Sequence, residues 1–73
     1  MENKSTNLKI ILAENVKKER KKLGHSQEKF ADICNLHRTY IGAIERAERN
    51  VTLSTLEAIS QGLNISAYKL LKS

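Results

Sequence analysis

The sequence predicts a compact all-α domain made of five helices. Its 73 residues are the length of one domain, which we take to span 1–73. Polar turn residues interrupt the apolar segments about every ten to fifteen positions, and the chain has no proline and no low-complexity linker. Within the segments, apolar residues recur at spacings of three and four, which is the periodicity of helices that bury one face.

The first helix is predicted over about 7–23. Its other positions are largely Lys and Glu, which is typical of an amphipathic helix. Gly24 follows, and glycine commonly ends a helix. Four apolar residues share one stripe of this segment and are expected to face the core: Leu8, Leu12, Val16 and Leu23.

The second helix is predicted over 27–34 and the third over about 38–46. The hydroxyl of Ser26 can cap the first turn of the second helix. Asn35 tolerates the left-handed conformation that a sharp turn between the two helices requires. Six apolar residues are expected to fill the space around that turn: Phe30, Ala31, Cys34, Leu36, Ile41 and Ile44.

The fourth helix is predicted over about 53–62 and the fifth over about 67–72. Thr52 or Ser54 begins the fourth helix, and Ser54 has capping-box spacing to Glu57. Ser66 can cap the fifth. The apolar residues of the two segments are Leu53, Leu56, Ile59 and Leu63 in one, and Tyr68, Leu70 and Leu71 in the other.

Charge and composition narrow the class of function. Thirteen Lys and Arg against eight Asp and Glu give a net charge of +5, which favours a polyanionic partner such as nucleic acid. No apolar run approaches the roughly 20 residues of a membrane span, and no signal-peptide pattern is present. We therefore expect a cytoplasmic, nucleoid-associated protein without membrane contact.

The residues that could carry catalysis are few. Cys34 is the only cysteine and falls on a predicted core position. Together with His25 and His37 it does not form the residue pattern of a zinc site or of an activated nucleophile. We expect no enzymatic activity, no cofactor, no metal and no small-molecule ligand. RNA binding is disfavoured because aromatic residues for base stacking are scarce.

Positions 27–46 match the two-helix unit that places a helix in the major groove of DNA. The small Ala31 lies where the two helices cross, and the apolar positions on either side of Asn35 fix the angle between them. Arg38 and Thr39 lie at the start of the third helix, where side chains reach base edges. Gly42 and Ala43 continue this face with little side chain, so the backbone can approach DNA closely. An ordinary helical hairpin, with Arg38 and Thr39 as solvated surface residues, is the alternative.

The run QEKFADICNLHRTYIGAIERAERNVTLSTLEAISQGLNIS resembles the Cro/C1-type, or XRE-like, helix-turn-helix family. The resemblance covers most of the chain and implies a domain like those of the lambda and 434 repressors, which bind pseudo-palindromic operators as dimers. The short chain and the RTYI, IER and RNVTL runs most resemble controller proteins of restriction-modification systems, which activate or repress transcription. Phage- or plasmid-type repressors share much of this pattern, and a protein-interaction module such as an antitoxin is a further alternative.

The resemblance implies roles for individual residues in binding double-stranded DNA. Base contacts fall on Arg38, Thr39 and Ala43. Phosphate contacts fall on Gln27, Tyr40, Arg46, Arg49 and Asn50, although Tyr40 could instead cover the edge of the core. Arg20 and Glu45 correspond to a salt bridge that orients the third helix, which is the recognition helix that enters the major groove in this family.

The resemblance also implies two protein-binding surfaces. A homodimer interface is expected in the fifth helix and the loop before it, at Leu63, Asn64, Ile65, Tyr68 and Leu71. Glu28 and Asp32 lie four apart on the exposed face of the second helix and match an activating patch that contacts the sigma subunit of RNA polymerase. Solubilising surface carboxylates are the alternative interpretation of that pair.

Three residues depart from the family pattern. Asn35 and Ala47 stand where glycine is common, and alanine in a left-handed conformation costs about 1 kcal/mol. The loop after the third helix is therefore expected to differ from that of relatives. His37 replaces the usual Ser or Thr cap, so either the start of the third helix is weaker, or the imidazole caps it or contacts a phosphate.

Overall fold

The computed structural model describes residues 8–73, and it confirms the predicted five-helix, all-α class. The helices are α1 (Leu8–Lys22), α2 (Gln27–Cys34), α3 (Arg38–Glu45), α4 (Leu53–Leu63) and α5 (Ala67–Leu70). Position 7, the expected start of α1, lies outside the described residues. The observed α4 runs one residue past its expected end, whereas α5 stops two residues before it. No helix in the described part of the chain is both long and apolar enough to cross a membrane.

One hydrophobic core joins all five helices. Complete burial of a large apolar side chain stabilises a fold by roughly 1.5–3 kcal/mol, so this cluster supplies most of the driving force for folding. The predicted core residues of α2 and α3 are all buried, and Leu36 packs against them at the turn. The largest fully buried side chains are Val16, Phe30, Ile41, Ile44, Ile59 and Leu70.

The inner face of α1 differs from the predicted stripe. Leu12 and Val16 are buried, but Leu8 and Leu23 are 44% and 50% exposed. Leu23 lies just past the last helical residue, where Gly24 turns the chain away with a φ of +77°. The next buried position of the stripe after Val16 is Arg20, a charged residue that is 7% exposed.

The apolar stripe of α4 also loses one predicted member. Leu53 is 84% exposed, while Leu56, Ile59 and Leu63 are buried. The reason is the position of the N-cap: Thr52 accepts a hydrogen bond from the Thr55 amide at 3.1 Å, so Leu53 is the first residue of the helix and lies beyond the edge of the core. Ser54, the alternative cap, lies inside the first turn.

Residues in the left-handed conformation follow the last residues of α2 and α4, and a third lies in the turn after α3. Asn35 and Asn64 both have φ of 60°. Ala47 adopts φ of 59°, so the turn after α3 is left-handed although an alanine occupies it. Two backbone hydrogen bonds hold this turn, from Ala47 to the Ile44 carbonyl at 3.0 Å and from Glu48 to the Ala43 carbonyl at 2.9 Å.

The end of α5 is fastened to α1 by a side-chain amide. The Nδ2 group of Asn15 donates to the carbonyls of Leu70 at 2.8 Å and Lys72 at 2.9 Å. Carbonyls at a helix end lack partners within the helix, so this amide satisfies groups that further helical turns would otherwise bond. Ser66 occupies the N-cap position of α5 but makes no side-chain capping bond.

Gly62 allows α2 and α4 to pack closely. A Cβ atom at this position would lie 2.6 Å from Sγ of Cys34 and 3.4 Å from Cε1 of Phe30. The first distance is far shorter than van der Waals contact, so only glycine fits while Cys34 keeps its place. The two helices that form the core beneath α3 therefore depend on a residue that no helical periodicity singled out.

Candidate nucleic-acid interface

The exposed face of α3 presents Arg38 and Thr39 in its first turn, while Ile41 and Ile44 point into the core. Ala43 lies farther along and is half-buried. The arrangement follows from helical spacing, because residues three apart share a face and the intervening ones turn outward. The structure thus brings the three predicted base-contacting residues onto one helix.

His37 caps the start of α3. Its Nδ1 atom accepts a hydrogen bond from the Thr39 amide at 3.1 Å. Of the outcomes expected for this departure from a Ser or Thr cap, the structure shows imidazole capping. Because Nδ1 is the acceptor, the proton of the neutral ring lies on Nε2.

Gly42 lies at the bottom of a notch between α2 and α3. The sequence suggested a bare face there, but Gly42 is buried beneath two longer side chains. A Cβ atom at Gly42 would lie 3.1 Å from Nη1 of Arg46 and 3.5 Å from Oε1 of Gln27. The missing side chain therefore makes room for Arg46 and Gln27, two predicted phosphate-contacting residues.

Arg20 and Glu45 form the predicted bridge between α1 and α3, and the bridge is nearly enclosed. Nε of Arg20 donates to Oε2 of Glu45 at 2.7 Å and Nη2 donates to Oε1 at 2.9 Å. The two side chains are only 9% and 3% exposed. The remaining guanidinium edge donates to the His25 carbonyl at 2.7 Å, so the loop before α2 is held as well.

Gln27 extends this network to α2. Its Nε2 group donates to Oε1 of Glu45 at 2.9 Å. An amide nitrogen carries two hydrogens, so a second remains for another acceptor such as a phosphate oxygen. The network therefore fixes the start of α2 relative to the recognition helix.

The protonation of the bridge follows from its surroundings. Burial alone would raise the pKa of Glu45, but hydrogen bonds from Arg20 and Gln27, with the charges of Arg20 and Lys17, lower this pKa below its ordinary value. The hydrogen bond to Glu45 raises the pKa of Arg20. Both groups are therefore charged at neutral pH.

The exposed cations of the interface have partners within the chain. Arg46 Nε lies 3.1 Å from Oε1 of Glu48, and Arg38 Nη1 lies 3.7 Å from Oε2 of Glu28. All four side chains are more than half exposed. Exposed ion pairs of this kind contribute about 0–1 kcal/mol, so the arginines can exchange partners at low cost.

Tyr40 and Arg49 connect α3 to the following loop. The guanidinium carbon of Arg49 lies 4.7 Å from the centre of the Tyr40 ring, a cation–π contact. Tyr40 also packs against the core, as one interpretation of the sequence had it. Asn50 lies exposed near Arg49. The sequence indicates these residues singly but not their pairing. It also does not indicate Glu48 or the partner of Arg38, because contacts between separate elements leave no periodic signal.

The expected dimer surface is only partly available. Asn64 is exposed and Tyr68 is 65% exposed, whereas Ile65 and Leu71 are half-buried against the core. Leu63 is 4% exposed and belongs to the core. Its assignment to the interface is therefore wrong, because the inner face of α4 uses this side chain within the domain.

Cys34, the cysteine considered as a nucleophile, lies buried in the core. Burial raises the pKa of the Cys34 thiol to about 11, so the thiol is protonated at neutral pH. Within residues 8–73, no three His, Cys, Asp or Glu side chains come together in a way that could hold a metal ion.

A family model described as "Helix-turn-helix" matches residues 16–70, which include the Arg20–Glu45 bridge and all five helices in whole or in part. The chain belongs to this helix-turn-helix family. The predicted family is thereby confirmed, and so is the resemblance to controller proteins. Control protein C.SmaI of Serratia marcescens is 58% identical over 64 residues, which cover 88% of this chain and 76% of that protein.

Solved structures of similar proteins share the helix-turn-helix fold. The hypothetical transcription factor NHTF from Neisseria is 41% identical with a TM-score of 0.87, over 90% of this chain and 74% of that one. The restriction-modification controller protein C.Esp1396I is 40% identical with a TM-score of 0.80, over 88% and 86% of the two chains. Its solved variants replace an arginine, a threonine and a tyrosine at three consecutive positions. The same tripeptide occurs once in the present chain, at 38–40.

Proposed function

We propose that this helix-turn-helix protein is a transcriptional regulator that binds a pseudo-palindromic operator as a homodimer and controls a restriction-modification system. The observation that carries the proposal is the exposed first turn of α3, where Arg38 and Thr39 stand on a helix capped by His37. An α-helix fits the major groove, and its N-terminal residues reach the base edges. The similarity to control proteins supports the regulatory role.

The proposed division of labour follows the positions of the side chains. Arg38, Thr39 and Ala43 read bases. The residues proposed to contact phosphates lie around the notch between α2 and α3 and in the loop after α3: Gln27, Tyr40, Arg46, Arg49 and Asn50. Phosphate contacts fix the register of a protein on DNA and carry no sequence information directly. The Arg20–Glu45 bridge holds α3, which contacts the bases, in a fixed orientation relative to the phosphate-contacting residues.

Replacement of Arg38 by alanine tests the base-reading assignment. We expect a loss of about 1–3 kcal/mol that is concentrated at one base pair of each half-site, because an arginine can donate two bonds to guanine O6 and N7. Random-site selection with the unsubstituted protein gives the operator. Titrations against the operator and its single-base variants then measure the discrimination that Arg38 provides.

Arg46→Ala is the matched control, since it removes an equal charge from the same face. We expect it to weaken binding to all sequences alike and to reduce the dependence of affinity on salt by at most about one phosphate contact, since Glu48 pairs with Arg46 in the free protein. A uniform loss in Arg38→Ala would instead assign Arg38 to phosphate and remove the basis for specific reading.

Dimerisation is proposed because one recognition helix reads only a few base pairs, and useful discrimination requires two half-sites about one helical turn apart. The proposed surface comprises Asn64, Ile65, Tyr68 and Leu71. Tyr68 is the most exposed of its three apolar residues. Aromatic residues are enriched at protein interfaces.

Tyr68→Ser is expected to shift the monomer–dimer equilibrium toward monomer by about fivefold or more, because truncation of an aromatic residue that anchors an interface costs over about 1 kcal/mol. Sedimentation equilibrium at micromolar concentration measures this shift. The thermal unfolding temperature of the same variant is expected to change little beyond the loss of the stabilisation that dimerisation provides. Monomer alone in the unsubstituted protein, with and without operator, would contradict dimerisation.

We extend the proposal to transcriptional activation through α2. Asp32 is exposed and makes no ion pair within residues 8–73, so its carboxylate is available to a basic surface such as one on the sigma subunit of RNA polymerase. Glu28 was expected to share this role, but its carboxylate faces Arg38. The proposed site of action is the nucleoid in the cytoplasm, without catalysis.

A further inference from the structure

Glu28 and Arg38 meet across the turn between α2 and α3. Their closest atoms, Oε2 of Glu28 and Nη1 of Arg38, lie 3.7 Å apart. Glu28 is the second residue of α2, and Arg38 is the first residue of α3. The contact therefore joins the helix proposed to approach the DNA backbone to the helix proposed to enter the major groove. Both side chains also border the notch above Gly42.

The contact restricts what Arg38 can do. A guanidinium has five N–H donors in a planar fork, and one edge can face a carboxylate while another donates two parallel bonds to guanine. A carboxylate beside the guanidinium also repels nearby phosphates, which would otherwise attract this cation on any DNA sequence. Glu28 therefore favours the base contact of Arg38 over a phosphate contact.

Stability is not a sufficient reason for the pair. The side chains are 70% and 66% exposed, and exposed pairs stabilise folds by about 0–1 kcal/mol. Glu28 also places a negative charge next to a candidate DNA-contacting residue, which lowers affinity for a polyanion. That loss of affinity is useful only if it falls more heavily on wrong sequences than on the operator.

We infer that Glu28 is a positioning residue for sequence discrimination: it holds Arg38 toward the base edge and suppresses contact of Arg38 with phosphate. The inference rests on the proposed function, because it presumes that Arg38 reads bases. It separates Glu28 from Asp32, which lies one turn farther along α2 and has no cationic partner in the described part of the chain.

The test compares Glu28→Gln with Asp32→Asn. The two variants remove the same charge from the same helix, and only the first removes the partner of Arg38. Affinity is measured for the selected operator and for operators changed at the base pair that depends on Arg38, each at several salt concentrations. We expect Glu28→Gln to bind all sequences more tightly and to lose about two- to fivefold in discrimination per half-site, the range that corresponds to an exposed ion pair.

Asp32→Asn is expected to bind somewhat more tightly with unchanged discrimination. In an Arg38→Ala background, Glu28→Gln is expected to have no further effect on discrimination, which a general charge effect would not produce. Equal losses in Glu28→Gln and Asp32→Asn, or a loss that persists without Arg38, would overturn the inference. A complete lack of sequence preference in the unsubstituted protein would overturn the proposed function itself, so the two failures are distinguishable.

Discussion

Replacement of Arg20 by alanine is expected to lower the free energy of unfolding by about 3–5 kcal/mol. The variant leaves the carboxylate of Glu45, which is 3% exposed, without the two hydrogen bonds from Arg20 and with only the one from Gln27. It also removes the donor to the His25 carbonyl. Domains of this size have only about 5–15 kcal/mol of stability, so the loss is visible as a large shift in a urea titration followed by circular dichroism.

The double variant Arg20→Met/Glu45→Leu distinguishes a buried-charge effect from general damage. Apolar residues of similar size leave no unpaired charge, and such replacements are often close to neutral in stability. We expect the double variant to be more stable than Arg20→Ala but weaker in operator binding, because the polar contacts that hold α3 to α1 and α2 are then lost. Equal or additive destabilisation in the double variant would contradict the argument.

The same bridge gives the stability a defined dependence on pH. The folded pKa of Glu45 is lowered, so its contribution is fully present above its unfolded pKa of about 4.3 and is lost as pH falls through the lower folded value. The raised pKa of Arg20 acts only at strongly alkaline pH. We therefore expect stability to decline below about pH 4 and this part of the decline to disappear in Arg20→Met/Glu45→Leu.

Gly62→Ala is expected to destabilise the fold by about 3 kcal/mol through overpacking, less about 1 kcal/mol that alanine returns through its higher helix propensity. The added Cβ would lie 2.6 Å from Sγ of Cys34 and 3.4 Å from the ring of Phe30. Cys34 and Phe30 are both buried, so neither can move without disturbing the core. Urea or thermal unfolding measures the net effect of roughly 2 kcal/mol.

Gly42→Ala is the matched control, since it places the same methyl group in another helix. There the nearest atom is Nη1 of Arg46 at 3.1 Å, the end of a flexible and exposed side chain. We expect this variant to be equally or more stable than the unsubstituted protein, by up to about 1 kcal/mol, and to bind DNA more weakly because Arg46 is displaced. Adding Cys34→Ala to Gly62→Ala should restore part of the stability, and a failure to do so would show that the contact with Sγ is not the cause.

The elements of the fold were predictable because they depend on local patterns. The inner residues of α2 and α3, the left-handed Asn35 and the cap at Ser26 each follow from spacing or from the chemistry of one residue. Errors occurred at the ends of elements. Three leucines match a helical stripe in sequence but are at least 44% exposed within residues 8–73. Leu8 and Leu53 are the first residues of their helices, and Leu23 lies just past the last residue of α1.

The site was predictable to a lesser degree. Resemblance indicated the Arg20–Glu45 pair, which the structure shows as a bridge, and it supplied the proposed DNA-contacting residues. It could not give the contacts of Glu28, Glu48 or Gly62, which depend on how closely two helices approach and how side chains turn. Leu63 was misplaced for the same reason, since an apolar residue at the end of α4 can face either the core or a partner, and only three-dimensional packing decides between them.

The ion pair between Arg46 and Glu48 affects how the salt dependence of DNA binding is interpreted. DNA releases condensed cations when arginines neutralise its phosphates, and the slope of affinity against salt counts those cations. Here an arginine that moves to a phosphate leaves a carboxylate behind, and that carboxylate attracts a cation from solution. With Arg46 on a phosphate, as proposed, we expect the measured slope to be smaller than the number of phosphate contacts and the affinity to fall less steeply as the ionic strength rises.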